Sequence, residues 1–268
     1  ENFLSNTGRT FGALPSLFGS LPFGENGFLE ISEIPTHISL LSVLKNNGYT
    51  SSFYSGDRVS FDKKINFLEY NEIDFVIDEN LYDNSYPKTV NESTGFSWGY
   101  SDNEIFTKTL SVLDDRKEPR LDIIATQTIH EPFTFPSKEL FLSKIDSILN
   151  SDKKFKMTKN EILTNKDIFA SILYADHSLK RFMEGLEKRD DFDNTIFIIT
   201  GDHRLIPITQ KDKLCRFNVP LFIYSKMLRE TASIKSISSH FDITPSILSL
   251  LNTKSFPQYF SWLMIHNS

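Results

Sequence analysis

The chain has 268 residues, 39% hydrophobic and 24% charged, an ordinary balance for a globular fold and enough for one large domain or two small ones. A net charge of −6 and a pI near 5.6 speak against a general nucleic-acid binder, which needs a basic surface to displace counterions, but leave room for a local Arg/His pocket around one phosphate. With a single cysteine, Cys215, there is no intrachain disulfide and no zinc-finger spacing, and no apolar run approaches the roughly 20 residues that span a bilayer.

Residues 5–24, SNTGRTFGALPSLFGSLPFG, read as a turn through Thr7, Gly8, Arg9 and Thr10 that runs into a short apolar helix over 11–18. A threonine at a helix start has two roles open to it. Its hydroxyl can cap free backbone N–H groups, or those N–H groups and the helix dipole can hold an anion at the hydroxyl. The pattern then predicts a helix over 36–48 capped by Thr36, a strand over 49–55, a helix over 61–70 and a short strand over 73–77. The turn at Gly56, Asp57 and Arg58 thus falls at a strand's carboxyl end, where open α/β sheets gather ligands. Residues 78–100 read as a long polar loop. Its Trp98 can stack on a sugar or glycerol-bearing substrate, or pack as an anchor.

Ser101 with Glu104 three residues on predicts a capping box opening a helix over 101–115. A buried strand follows over 121–126, and His130 comes soon after it, as a loop histidine or a site residue. A helix is expected over 137–156, and one long amphipathic helix over 161–189. Asp176 and His177 are adjacent inside that helix, but neighbouring helical residues point about 100° apart, so both read as surface or capping groups.

The apolar run Ile196, Phe197, Ile198, Ile199 predicts a strand buried on both faces, ended by Gly201. Asp202 and His203 follow at once. They can supply one oxygen and one nitrogen to a divalent metal, or form a plain polar turn. A strand over 219–224, with Pro220 suiting a sheet edge, and a helix over 245–251 complete the pattern. Strands and helices alternate along most of the chain. That predicts an α/β fold with a mostly parallel central sheet covered by helices on both faces, and with no linker or repeat the chain reads as a single domain over 1–268.

Thr10, His130 and the Asp202–His203 pair lie on separate segments, yet all sit at turn or strand ends. A threonine hydroxyl is a poor nucleophile at neutral pH, and coordination to a divalent cation lowers its pKa. Asp202 and His203 can hold that cation. His130 can bind a phosphoryl oxygen or serve a leaving group as general acid.

TIFIITGDHR resembles the Asp-His metal motif of the alkaline phosphatase/sulfatase superfamily, and the fuller match is to the lipoteichoic acid synthase-like phosphoglycerol transferases and the related phosphoethanolamine transferases. GRTFGALPSLFGSLP is similar to their nucleophile turn, and TQTIHEPF to the segment with a substrate-binding histidine. ILYADHSLKRFMEGLEKRDDFDNTIFIITGDH resembles their long helix, turn and metal strand, and RFNVPLFIYS and SHFDITPSILSLL are similar to later segments. The resemblance implies an alkaline phosphatase-like three-layer sandwich with Thr10 as nucleophile and Thr10, Asp202 and His203 as metal ligands. It also implies substrate contacts from His130, Asp57 and Arg58, and Arg9, Arg204 and Trp98 are further candidates for contact with the substrate. The metal it implies is Mn2+, with Zn2+ or Mg2+ as alternatives. The reaction it implies passes a phospholipid head group through a phosphothreonine intermediate to a glycan or lipid acceptor, at the extracytoplasmic face of a bacterial cytoplasmic membrane.

Three departures from the family pattern shape these expectations. The family's remaining acidic ligand sits on the domain's first strand, and the sequence opens on Glu1 close ahead of Thr10, so the domain is expected to be incomplete at its N-terminus, with the strand and any membrane anchor upstream. Arg204 stands where the family has a glycine, and either reaches a phosphate or replaces a permissive turn residue. The sulfatase nucleophile signature is missing at Thr10. A phosphodiesterase or sulfatase-like hydrolase, and a non-catalytic phosphoglycan-binding domain, are the competing readings.

Overall fold

The computed structural model describes residues 2–22, 36–151, 157–208 and 212–251. Its centre is a three-stranded parallel sheet of β2 (Thr50–Ser55), β3 (Phe75–Ile77) and β4 (Arg120–Ala125), with β2 in the middle. Register pairs Phe53 with Ile123 and Tyr54 with Ile124. Successive strand residues face opposite sides, and the packing follows that rule. Phe53 and Ile123 meet Leu14, Leu41, Phe67 and Leu68 from α1 (Ala13–Gly19), α2 (Leu40–Asn46) and α3 (Lys64–Tyr70). On the other side, Ile124 packs against Phe106, Leu113, Phe182 and Leu186, where α4 (Asp102–Val112) lies against α7 (Lys166–Leu186). The result is the expected α/β arrangement of helix, sheet and helix layers. The aromatic content is spent here: Phe53 and Tyr54 are both fully buried.

Two smaller pairings complete the described fold. β1 (Phe3–Leu4) runs parallel to β7 (Ser238–Ser239), which leads through a 3-10 turn at His240–Asp242 into α8 (Ile243–Leu251). β5 (Phe197–Thr200) pairs antiparallel with β6 (Leu221–Tyr224). β5 is the strand expected to be parallel and buried on both faces. Both of its faces do meet apolar groups, Phe197 beside Phe182 and Phe192, and Ile198 beside Phe3, Val219 and Ile243. The cover is partial and every β5 residue stays half-buried.

Several local expectations are corrected. Helix α2 starts at Leu40 with Ser39 as its cap, because Ser39 and Ser42 exchange hydrogen bonds in a capping box; Thr36 lies too far upstream. Ser101 does precede α4, but its hydroxyl is taken by Glu104 and Tyr174 and caps no backbone N–H. The single helix expected over 161–189 is two helices, α6 (Lys159–Thr164) and α7, broken at Asn165. A capping box between Thr158 and Glu161 starts the first of them at Lys159, two residues before the expected start of 161. The helix expected over 137–156 is α5 (Lys138–Leu149), and 152–156 lie outside the described residues. Among the described residues, no helix is long and apolar enough to cross a membrane.

Candidate active site

The turn before α1 is pinned by its own hydroxyls. Ser5 donates to the carbonyls of Thr7 and Phe217, and the buried Thr7 donates to the Arg9 carbonyl at 2.9 Å. The backbone at Arg9 is extended, a 3-10 turn follows over Thr10–Gly12, and α1 begins at Ala13. This leaves Thr10 exposed and free of any capping role. Its Oγ1 lies 3.2 Å from Nε2 of His203.

β5 delivers that histidine. Gly201 ends the strand, and Asp202 and His203 follow. His203 Nδ1 lies 2.7 Å from the Arg204 carbonyl, which can only accept, so Nδ1 carries the proton and Nε2 presents a lone pair. Thr10 therefore donates its hydroxyl to that nitrogen. Asp202 Oδ1 accepts the His203 backbone N–H at 2.8 Å, and its Oδ2 stands 3.4 Å from the same Nε2. A lone pair, a carboxylate oxygen and a hydroxyl oxygen thus converge, with the imidazole oriented by a backbone carbonyl as metal-ligating histidines usually are. This donor set suits a divalent cation, two oxygens and one nitrogen. Among the described residues there is no group of three or more His, Cys, Asp or Glu side chains placed to hold a metal.

The turn after β2 forms the next wall. Asp57 and the buried Lys64 make a short ion pair. Burial pushes the Asp62 carboxyl above its ordinary value, Lys64 and Arg9 pull it back, and Asp57 pushes it further up. Four charged groups therefore act on one another here, and Arg9 carries this cluster to the residue beside Thr10. Asp62 and Lys63 hold positive φ, 54° and 52°, where non-glycine residues are strained. Lys64 is a cation that sequence reading missed. Its only signal is position, one turn past a strand end.

His130 and Trp98 pack against each other on neighbouring loops. His130 is exposed, with Nδ1 2.8 Å from the Glu131 carbonyl. This is the same arrangement as at His203, and it leaves Nε2 outward. Trp98 meets the His130 ring edge-on at 4.5 Å and also packs against Phe61 and Phe96. Its indole N–H donates to the Glu131 carbonyl. Trp98 is thus an anchor that holds the histidine. Phe61, which packs on Trp98, also lies under Lys64, 5.9 Å from its ring centre.

Behind these loops sits Asp102, fully buried, whose Oδ1 accepts the backbone N–H groups of Gln127 and Thr128 at 2.9 Å each. Burial pushes its carboxyl above the usual range, opposed by those two hydrogen bonds. The Gln127 carboxamide donates to the carbonyls of Trp98 and Tyr100. One carboxylate and one carboxamide therefore tie the His130 loop to the Trp98 loop. Neither residue stood out in the sequence, because neither sits in a pattern that marks chemistry.

The two remaining arginines do not face the convergence of Thr10, Asp202 and His203. Arg58 is 64% exposed and pairs with Glu79 at 3.5 Å. Arg204 Nη1 donates to the Ile206 carbonyl, so its guanidinium supports its own turn. Asp176 and His177 are exposed on α7.

The Sulfatase family model matches residues 1–253. Over 189 residues the chain is 29% identical to lipoteichoic acid synthase 1 of Bacillus subtilis, covering 70% of this chain and 26% of that protein. Against lipoteichoic acid synthase 2 of the same organism it is 23% identical over 283 residues, 96% of this chain and 39% of that protein. It therefore spans well under half the length of these relatives. Among solved structures, the lipoteichoic acid synthase LtaP from Listeria monocytogenes superposes with a TM-score of 0.74 at 18% identity, over 96% of this chain and 64% of the other. The Streptococcus pyogenes phosphoglycerol transferase GacH, in complex with sn-glycerol-1-phosphate, gives 0.58 at 15%, over 97% and 66%.

Proposed function

The chain belongs to the Sulfatase family, and from that premise we propose that it is the catalytic part of a metal-dependent phosphoglycerol transferase that works through a phosphothreonine intermediate on Thr10. The observation that carries this reading is that Thr10 Oγ1 and Asp202 Oδ2 lie 3.2 and 3.4 Å from the same nitrogen, His203 Nε2. Relatives named as lipoteichoic acid synthases, and a structural neighbour holding sn-glycerol-1-phosphate, favour a glycerol phosphate donor.

Thr10, Asp202 and His203 are the residues that would hold a divalent ion, Mn2+ first and Zn2+ or Mg2+ as alternatives. When bound, such an ion lowers the pKa of the threonine hydroxyl and neutralises charge on the phosphoryl oxygens. The protein's own groups do the rest. Thr10 Oγ1 loses its proton to solvent and attacks the phosphorus of a phosphodiester, and the bond from phosphorus to the diacylglycerol oxygen breaks. His130, protonated at Nε2, gives its proton to that oxygen. Lys64 and Arg9 supply positive charge beside the nucleophile for the glycerol phosphate, with Asp57 orienting Lys64. Trp98 keeps the His130 ring in place and shields one side from water. An acceptor hydroxyl from a glycan or lipid then attacks the same phosphorus, its proton returns to His130, and Thr10 Oγ1 leaves and takes a proton back from solvent. A phospholipid donor places this reaction at a membrane surface, the extracytoplasmic face of a bacterial cytoplasmic membrane.

The exposure of Thr10 favours one second reading, in which water takes the acceptor's place and the enzyme is a hydrolase. One experiment separates these. The protein is incubated with Mn2+ and a fluorescent phosphatidylglycerol, with and without a glycolipid acceptor, and the protein is then digested for mass spectrometry. Glycerophosphoryl mass on the Thr10 peptide with acceptor-dependent product supports the transferase. Free glycerol phosphate regardless of acceptor supports the hydrolase. An unmodified Thr10 peptide with turnover retained in Thr10→Ala overturns both.

A further inference from the structure

His240 is fully buried in the 3-10 turn that opens α8. Its Nε2 stands 2.9 Å from the carbonyl of Gly201, and a carbonyl only accepts, so Nε2 carries the proton. That fixes the tautomer and leaves Nδ1 as a bare lone pair, buried and without a hydrogen-bond partner. Buried polar atoms are nearly always paired, and an exception calls for a reason. A phenylalanine would fill the space beside Phe3, whose ring centre is 5.7 Å away, and would leave no orphan. The imidazole is justified by its other nitrogen.

The Gly201 carbonyl is a consequential place for a hydrogen bond. Gly201 is the joint between β5 and the Asp202–His203 pair. It has no side chain to fix its backbone, and glycine is the residue with the most conformations to lose. One side of the joint is closed by packing: a Cβ built on Gly201 would come within 3.2 Å of Val219 Cβ. The other side is closed by His240. A rotation of the peptide after Gly201 would swing Asp202 and His203 together away from Thr10.

We propose that His240 is a positioning residue, whose hydrogen bond to the Gly201 carbonyl fixes the peptide that aims Asp202 and His203 at Thr10. The proposal rests on the reading of those three residues as one metal-holding site. It explains why a wholly buried histidine sits in the turn before α8, 39 residues past the glycine whose carbonyl it holds.

The test compares the wild type with His240→Phe and His240→Gln. Glutamine can present an amide N–H close to the position of Nε2; phenylalanine cannot. Two readouts are taken, Mn2+ affinity by electron paramagnetic resonance and the ring 15N shifts of the histidines. The wild type is expected to show His240 as the Nε2–H tautomer and His203 as Nδ1–H. His240→Phe is expected to bind Mn2+ about 10–100-fold more weakly, the usual loss for an outer-shell partner, with the His203 ring shifts moved. His240→Gln should restore both. Wild-type His240 found as the Nδ1–H tautomer overturns the proposal, and decides alone should His240→Phe fail to fold. So does a folded His240→Phe with unchanged Mn2+ affinity and His203 shifts, or a His240→Gln that behaves like it. If the wild type binds no Mn2+ while the His203 shifts still move in His240→Phe and return in His240→Gln, the positioning role stands and the metal reading falls.

Discussion

Thr10 and His203, 193 positions apart in the chain, meet with Oγ1 and Nε2 separated by 3.2 Å. The imidazole cannot turn its other nitrogen to the task, because Nδ1 is committed to the Arg204 carbonyl. Thr10 is exposed, so its removal costs the fold little; surface substitutions typically stay within about 0.5 kcal/mol. Thr10→Ala is expected to lower turnover at least ~1,000-fold while thermal unfolding barely moves. Thr10→Ser keeps the hydroxyl and should retain measurable turnover. Steady-state kinetics and calorimetry on the three proteins check this.

Chelation gives a second prediction. EDTA should abolish turnover and added Mn2+ restore it. A ligand that binds only the folded state stabilises it by about 2.7 kcal/mol at 100 times its dissociation constant. Saturating Mn2+ should therefore raise the unfolding temperature of the wild type, and Asp202→Asn should lose most of that rise. Scanning calorimetry with and without Mn2+ measures it, independently of any substrate.

Lys64 offers a prediction about the donor. It is 8% exposed and paired to Asp57, so Lys64→Met removes a cation and strands a carboxylate. The expected outcome is a rise of about tenfold or more in KM for the glycerol phosphate donor, the scale of one charge-assisted hydrogen bond. Lys64→Arg should recover part of it.

The layered fold was legible because its signals are local. Alternation of apolar runs marked β2, β4 and β5, and the strand ends then placed Asp57, His130, Asp202 and His203 at the edge where ligands gather. The motif order carried Thr10 as well. What stayed hidden depends on contacts between distant segments. Trp98 reads as an anchor or a substrate platform, with loop tryptophans more often anchors, until Phe61, Phe96 and the Glu131 carbonyl are seen around it. The antiparallel partner of β5 could not be read from its apolar composition, which fits either pairing. Ser101 satisfied the capping-box spacing, yet Tyr174 reaches it from α7 and draws its hydroxyl away. Arg58 and Arg204 have the right charge and place, but Glu79 and the Ile206 carbonyl claim them.

Gly99 supplies a stability prediction. Its φ is +110°, and a Cβ there would fall 2.0 Å from the Gly56 carbonyl oxygen. No side-chain adjustment relieves a clash with backbone. Gly99→Ala is expected to destabilise the protein by about 3 kcal/mol or more, from strain and displaced backbone together. It should also loosen Trp98 and so raise KM. Urea denaturation and donor kinetics check the two parts.

Arg120 supplies the pH prediction. At 10% exposure it donates to Asp122 at 2.7 Å and Asp191 at 2.6 Å. Burial works against ionisation of Asp191, but hydrogen bonds from Arg189 and Arg120 outweigh it and hold the carboxyl below its usual value. With the folded value below the unfolded one, the contribution is fully present above the ordinary carboxylate range and disappears as pH falls through the folded value. Arg120→Met should cost about 3 kcal/mol near pH 7, the scale of a buried pair that has lost one partner. The gap from the wild type should narrow as the pH drops below about 4, which urea midpoints across pH would reveal.

The pairing of Phe3 with Ser238 sets a schedule for the ribosome. Thr10 is translated well before Asp202 and His203, the residues it meets in the fold. At ordinary elongation rates of about 5–20 residues per second, Thr10 waits roughly 10–40 seconds for His203. On the proposed reading, a nascent chain stays chemically silent at Thr10 until Asp202 and His203 have emerged beside it.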